Sequence, residues 1–331
     1  MDVRKVQMIG GSSLMITLPK EWTESSGVKK NDSLNLFPLA DGSLLVSPGT
    51  EKKKEHTLKT INSDNIDDRD LFFRILVGAY MSGYSTVEIT SRDRISENVR
   101  NIVERVTQTA IGVEIIEEFD NKIILKDLVD PSEMRMSRTM ERMRSLVSNM
   151  LSDVLSAIKG SDEKLLNNVI SRDNDIDRLE WLVTRQTNMA YNDSTICRKM
   201  ELGQKEMMMY YTVCRIIERI GDHVVIIAKN ALPLIEGKVD PKIIKEILSA
   251  GESVRSLFVA SVKSWSEENL IAANECIREC EAAVEKCKVI NRHAMNEVLD
   301  SAMAATVIAG SIRRIGEYSI DISEHAINTA V

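Results

Sequence analysis

The chain has 331 residues, 43% apolar and 28% charged, with a formal charge of -7. That is material for two or three packed domains, and it excludes a disordered or fibrous polypeptide. With no apolar signal core in MDVRKVQMIGGSS and no apolar run of about 18 residues, a cytoplasmic location without membrane insertion is expected.

Residues 1–50 read as short strands and turns. Val3–Met8 and Leu14–Leu18 are β-compatible and flank Ile9-Gly10-Gly11-Ser12-Ser13. Pro19-Lys20-Glu21-Trp22 opens a short helix, because proline is welcome in a first helical turn. Ser33–Leu39 and Ser43–Pro48 flank Asp41-Gly42, a hairpin signal. Such a unit has little core of its own, so an intertwined homodimer is expected. Residues 1–60 hold nine Lys/Arg against seven Asp/Glu, so an otherwise acidic chain begins with a slightly basic module. Residues 50–67 are polar and read as a linker or an exposed edge. A small α/β domain over 51–130 follows. Asp68–Ser82 and Ser96–Thr109 are its helices, Thr86–Thr90 is a strand, and Val113–Glu117 with Lys122–Leu128 form a hairpin.

From Pro131 the chain is proline-free to Leu232, and after Pro233 and Pro241 no proline follows. An interior proline costs a helix about 3 kcal/mol, so long proline-free runs suit long helices. Six are predicted, over 132–158, 162–190, 203–232, 242–264, 267–297 and 300–330. Ser161 and Ser266 are candidate N-caps. Short loops between long helices imply antiparallel bundles.

The helices repeat. Setting Asp173 on Glu281 puts Ile176 on Val284 and Asp177 on Glu285. Arg219-Ile220-Gly221-Asp222-His223 matches Arg314-Ile315-Gly316-Glu317-Tyr318. Residues 131–331 are therefore two related three-helix units, 131–235 and 240–331. The matched glycines suggest close helix approach, because each sacrifices about 1 kcal/mol of helix propensity. The acids lie four apart, about 40° around a helix and so on one face. Asp173 with Asp177, and Glu218 with Asp222, can converge if their helices pack antiparallel. Glu281, Glu285, Glu317 and Asp321 are the second set. Converging carboxylates repel unless a cation sits among them, and hard oxygen donors suit iron, manganese, magnesium or calcium, with zinc also allowed. Acids four apart also occur on ordinary solvated helix faces, and Arg172, Arg178, Arg215 and Arg219 lie near enough to pair with them.

On Asp173-x-x-Ile176-Asp177-x-Leu179-Glu180, Glu218-Arg219-Ile220-Gly221-Asp222-His223 and Arg314-Ile315-Gly316-Glu317-Tyr318-x-x-Asp321-Ile322, this region resembles the PhoU family of phosphate-uptake regulators. The resemblance implies two three-helix bundles able to hold metal clusters. It also implies a non-enzymatic role that restrains phosphate import through phosphate ABC transporter components or a sensor kinase. The family pattern on the third helix is an acid, an acid four later and Asn four later. Here the first repeat has Glu218 and Asp222 followed by Ile226. The second has Arg313, Glu317 and Asp321, so a cation replaces the first acid. If one repeat holds metal, it is the first. Residues 1–50, through Arg4-Lys5-Val6-Gln7, Gly10-Gly11-Ser12-Ser13, Thr17-Leu18-Pro19-Lys20-Glu21-Trp22 and Asn31-Asp32, resemble the AbrB/SpoVT swapped-hairpin DNA-binding family. Physically, Arg4, Lys5, Lys20, Lys29 and Lys30 can neutralise DNA phosphates while Ser12, Ser13 and Thr17 can bond phosphate oxygens; the alternative is a module that only dimerises, with its basic residues solvated.

The expected fold is multidomain: a β-rich swapped-hairpin domain, a small α/β middle domain and an all-α region of tandem bundles. The expected function is regulation of phosphate homeostasis through a protein partner and DNA. The alternative is an AbrB-type transcription factor whose bundle senses a ligand or metal without transporter contact. A hydrolytic metalloenzyme is a third reading, but no Ser/His/Asp arrangement, P-loop or GxGxxG supports catalysis. The odd set of five cysteines, without a CxxC pair, fits a reducing compartment. Cys276, Cys280 and Cys287 share a helical stripe that suits core packing more than thiolate ligation. His223 fits either metal or core.

Overall fold

The computed structural model describes residues 3–38, 42–48 and 57–330. Asp41 of the expected hairpin turn, residues 51–56 of the polar stretch and the terminal Val331 lie outside the described residues. Two compact units divide between Thr57 and Leu58.

In the first unit β1 (Gln7–Ile9) pairs antiparallel with β2 (Ser13–Met15), Gln7 opposite Met15. Gly10 and Gly11 make the turn at φ +62° and +82°, a left-handed conformation that costs glycine little. Helix α1 (Lys20–Ser26) starts behind Pro19 and stops at Gly27, again at positive φ. β3 (Leu34–Pro38) pairs with β4 (Leu44–Pro48). The first two strands are shorter than Val3–Met8 and Leu14–Leu18, because a strand ends where its ladder ends. No described residue of this unit is buried. Met8 and Leu14, at 70% and 72% exposure, leave the hairpin without an apolar cover.

The second unit begins with a four-stranded sheet. β5 (Leu58–Asn62), α2 (Arg69–Met81), β6 (Thr86–Thr90), α3 (Glu97–Thr109), β7 (Val113–Glu118) and β8 (Lys122–Asp127) follow in chain order. The sheet order is β5-β6-β8-β7, with β5 parallel to β6 and β8 antiparallel to both neighbours. Of the polar stretch, residues 58–62 form an exposed edge strand in which only Ile61 is buried. Asp68 and Ser96 accept backbone N–H groups as N-caps of α2 and α3, satisfying donors a helix start leaves open. Ile89, Ile123 and Leu125 pack with Phe72, Leu76, Val103 and Val106 as the core.

The helical region contains α4 (Met136–Gly160), α5 (Glu163–Ser171), α6 (Asp173–Asn192), α7 (Ser194–Lys199), α8 (Gln204–Asn230), α9 (Leu232–Ile235), α10 (Pro241–Ser266), α11 (Leu270–Ala294) and α12 (Leu299–Ala330). The six expected helices are present with two differences. Short turns α7 and α9 fill connections, and the expected 162–190 helix is broken at Arg172, whose guanidinium pairs with Asp153 on α4. The caps also differ. Asp162 and Asn269 accept the N-terminal N–H groups of α5 and α11, while Ser161 closes α4 at φ +55° and Ser266 is the last residue of α10. One continuous core runs through both repeats, from Met140, Met143 and Val147 to Ile308, Ile312 and Ile315. No described helix is long and apolar enough to cross a membrane.

The repeats pack alike at their matched glycines. A Cβ on Gly221 would meet Ile176 Cδ1 at 2.7 Å and Val147 Cγ2 at 3.6 Å; one on Gly316 would meet Val284 Cγ2 at 3.0 Å and Val254 Cγ1 at 3.6 Å. Ile176 and Val284 are partners in the sequence alignment. Each glycine therefore lets the third helix of its repeat seat on the second and first. The third helices also meet each other, with the matched rings of His223 and Tyr318 at 5.8 Å between centroids.

Helix α6 additionally anchors the α/β layer. Arg185, 1% exposed, pairs through Nη2 with Asp127 Oδ2 at 2.7 Å. Its Nη1 donates to the Tyr80 and Tyr84 carbonyls, and its guanidinium lies 4.8 Å over the Tyr80 ring. Asn188 Nδ2 donates to the Met81 carbonyl at 2.9 Å, and Phe73 meets Trp181 edge-on.

Candidate functional site

The helical period of α6 buries Ile176, Leu179 and Val183. That of α8 buries Ile217, Ile220, Gly221 and Val224. Packing these stripes together leaves Asp173, Asp177, Glu218 and Asp222 along the rim of one contact. The structure thus brings the first set of acids together. Asp173, Asp177 and Glu218 are half-buried and Asp222 is exposed.

Their titration reports the crowding. Burial, reinforced by the charges of Asp173, Asp222 and Glu180, pushes Asp177 up to about 6. Burial and the charge of Asp222 push Glu218 up to about 7 against the pull of Arg215. Burial, then Asp222, raises Asp173, and burial raises Asp222 despite His223 and Arg215. Among the described residues none of these four carboxylates has an ion-pair partner. Glu180 belongs to the same group, although spacing alone does not single it out. It is 4% exposed, accepts the Thr184 hydroxyl at 2.6 Å and pairs with Arg215 Nη1 at 3.2 Å. Its signal in the sequence is its place three residues beyond Asp177. His223 Nδ1 is buried with no hydrogen-bond partner, and burial lowers the ring's pKa.

In donor type alone, this set is of the kind that suits a hard cation. It supplies only oxygen, none of its four members is in an ion pair among the described residues, and they repel one another. Among the described residues no three His, Cys, Asp or Glu side chains are already gathered as a metal-binding group, so binding would draw the carboxylates inward.

The second set differs. Glu285 pairs with Lys288 at 2.6 Å, and Glu317 pairs with Arg313 at 2.6 Å and Arg314 at 3.0 Å. Glu281 and Asp321 are exposed. The second repeat's acids are paired with basic side chains or exposed, whereas the first repeat's four have no ion-pair partner among the described residues.

The six residues assigned to DNA all lie in the first unit and are all exposed. Ser12 is in the β1–β2 turn, Ser13 opens β2, Arg4, Lys5 and Thr17 flank the hairpin, and Lys20 starts α1, 3.6 Å from Glu24. All five cysteines are buried and none is in a disulfide. Cys276 Sγ lies 3.9 Å from Cys280 Sγ and 3.4 Å from the Leu257 carbonyl, in the core. Met207 is buried and Tyr210 meets Trp265 edge-on, while Met208 is exposed.

Comparison with known proteins agrees with this architecture. The description of the PhoU domain matches residues 140–231, within the first repeat, and that of the MazE bacterial antitoxin matches residues 7–55. The phosphate-specific transport system accessory protein PhoU homolog of Clostridium acetobutylicum is 25% identical over 195 residues, 56% of this chain and 86% of that protein. PhoU homolog 1 of Thermotoga maritima is also 25% identical over 195 residues, covering 82% of its length. The crystal structure of the phosphate transport system regulatory protein PhoU from Streptococcus pneumoniae shares the fold at 18% identity, with a TM-score of 0.50 over 58% of this chain and 91% of that one. With its duplicated bundle and β-rich N-terminal unit, the chain carries a PhoU domain over residues 140–231 and a MazE-like segment over residues 7–55.

Proposed function

We propose that this protein regulates phosphate uptake, coupling a PhoU-type double bundle to DNA. The observation that carries the reading is the union in one chain of that bundle with an N-terminal unit that has no buried residue among those described. Such a unit lacks the burial that stabilises a small fold. A second copy supplies the missing cover by laying its own Met8, Ile9, Leu14 and Ile16 against these, and the resulting dimer presents two sets of Arg4, Lys5, Ser12, Ser13, Thr17 and Lys20 to the phosphate backbone. The bundle's relatives are described as accessory to phosphate transport, so its partner is a component of a phosphate ABC transporter or the sensor kinase that reads one.

In the first repeat Asp173, Asp177, Glu218 and Asp222 would hold an iron, manganese, magnesium or zinc ion, with the oxygen-only set favouring the harder three. The ion would supply positive charge. Two of the carboxylates lie on α6 and two on α8, so filling the site would stiffen the junction between second and third helices.

The test is binding to duplex fragments from upstream of phosphate-transport genes, titrated with salt. Binding is expected at low salt and should weaken linearly in log–log form. Arg4→Ala with Lys5→Ala should weaken it and flatten the slope by roughly one per lost phosphate contact. No binding at low salt by the full-length dimer would remove the DNA half of the proposal.

A further inference from the structure

The two repeats share one packing frame but treat charge in opposite ways. The register that places Glu281 on Asp173 and Glu285 on Asp177 also places Lys288 on Glu180. The register of the third helices places Arg313 on Glu218 and Glu317 on Asp222. At two positions where the first repeat has an acid, the second therefore has a cation.

Both cations are engaged with the acids that remain. Lys288 Nζ lies 2.6 Å from Glu285 Oε1, and Arg313 Nη1 lies 2.6 Å from Glu317 Oε1, with Arg314 adding a contact at 3.0 Å to the other oxygen. Of Asp173, Asp177, Glu180, Glu218 and Asp222 in the first repeat, only Glu180 is in an ion pair among the described residues, with Arg215. The position matching Arg215 is Gly310, so the second repeat has moved its arginine one turn along the helix, into the acid site itself. The scaffold beneath is unchanged, since Gly221 on Ile176 and Gly316 on Val284 are equivalent contacts.

A guanidinium is always charged and accepts a carboxylate through a fixed fork of donors. It can therefore do for Glu317 what a bound ion does for uncompensated acids, with no dependence on supply and no route of removal. We propose that the second repeat is a self-neutralised copy of the first: Arg313 and Lys288 occupy the role of a bound cation, so only the first repeat responds to metal. The second half of this statement rests on the proposed metal role of the first repeat; the self-neutralisation can be tested without it.

The experiment is equilibrium dialysis of the full chain against Mn2+ with elemental analysis. Four proteins are compared: wild type, Asp177→Asn/Glu218→Gln, Lys288→Glu/Arg313→Glu, and the combination of all four changes. Wild type should retain a single ion, the first pair of changes none, the second pair an additional ion, and the combination a single ion at the second repeat. Retention by Asp177→Asn/Glu218→Gln of an ion that is lost on adding Glu285→Gln/Glu317→Gln would overturn the proposal. So would a folded Lys288→Glu/Arg313→Glu protein that gains nothing. If that variant does not fold, Arg313→Gln in the Asp177→Asn/Glu218→Gln background replaces it. Its melting temperature should rise with Mn2+ while that of the background does not, and an unchanged melting temperature refutes the idea. A wild type that retains no ion, beside a Lys288→Glu/Arg313→Glu protein that does, would sink the metal role of the first repeat and leave self-neutralisation standing.

Discussion

Three helical glycines give a graded test of how the repeats are packed. Replacing a solvent-accessible helix-interior glycine by alanine gains about 1 kcal/mol from propensity alone. Gly310, on α12, has nothing within 4 Å of the place an alanine methyl would take, so Gly310→Ala should show that gain in full, about 1 kcal/mol. At Gly316 the new methyl would sit 3.0 Å from Val284 Cγ2. Val284 is only half-buried and can yield by a few tenths of an ångström, so Gly316→Ala should come out near neutral. At Gly221 it would sit 2.7 Å from Cδ1 of Ile176, which is 0% exposed. Overpacking of that kind costs about 1–3 kcal/mol, so Gly221→Ala should be destabilising by about 1 kcal/mol net. Ile176→Val deletes the clashing carbon and on its own costs about 0.5–1.5 kcal/mol. Combined with Gly221→Ala it should cost less than the sum of the two. Urea denaturation at fixed chain concentration measures all five proteins. Should Gly221→Ala stabilise as much as Gly310→Ala, and add independently to Ile176→Val, the close seating of α8 on α6 would be wrong.

Three further outcomes are expected. In chelator-treated protein, folded Asp177 and Glu218 titrate near 6 and 7 but near 4 when unfolded, so between those values the folded chain holds protons the unfolded chain has lost. Stability should therefore fall as pH rises from about 4.5 to 7.5, by on the order of 1–2 kcal/mol after discounting for solvent screening of these partly exposed groups; Glu218→Gln should flatten the profile, and an equally steep variant would refute this. Arg185→Met leaves the Asp127 charge buried without its partner and should destabilise by about 3–5 kcal/mol, with Asp127→Asn recovering part of it; a loss below about 1 kcal/mol would show the pair to be dispensable. Sedimentation of the full chain should give a dimer that dissociates on Leu14→Asp, and a monomeric wild type at micromolar concentration would contradict the shared N-terminal core.

What the sequence made readable follows from where the forces act. The long helices of the second half are legible because they lack proline and repeat their apolar stripe, and the duplication is legible because Gly221 and Gly316 are constrained by the same contact. The break at Arg172 is not legible, because the apolar spacing runs on through it from Leu166 and Val169 to Ile176 and Leu179. Edge strand β5 is hard to separate from a linker, because burying Ile61 alone leaves a polar pattern. The acid positions on α6 and α8 follow from four-residue spacing. The inclusion of Glu180 depends on burial and on Arg215 reaching it from the neighbouring helix. The N-terminal strands read longer than they are, because β-propensity marks residues able to pair and says nothing of whether a partner is at hand.

The Arg185–Asp127 pair has a practical consequence for dividing the polypeptide. A cut between Asp130 and Pro131 would place Asp127 in one piece and Arg185 in the other, each an ionised group on a freshly exposed apolar surface. The Asn188 amide would lose the Met81 carbonyl in the same step, and the ring of Phe73 would lose Trp181. Each piece keeps its own apolar core, but both should be less stable apart than together. Mixed together, they should recombine through the same buried pair, so that the α/β layer and the first bundle behave as complementing halves of a split protein.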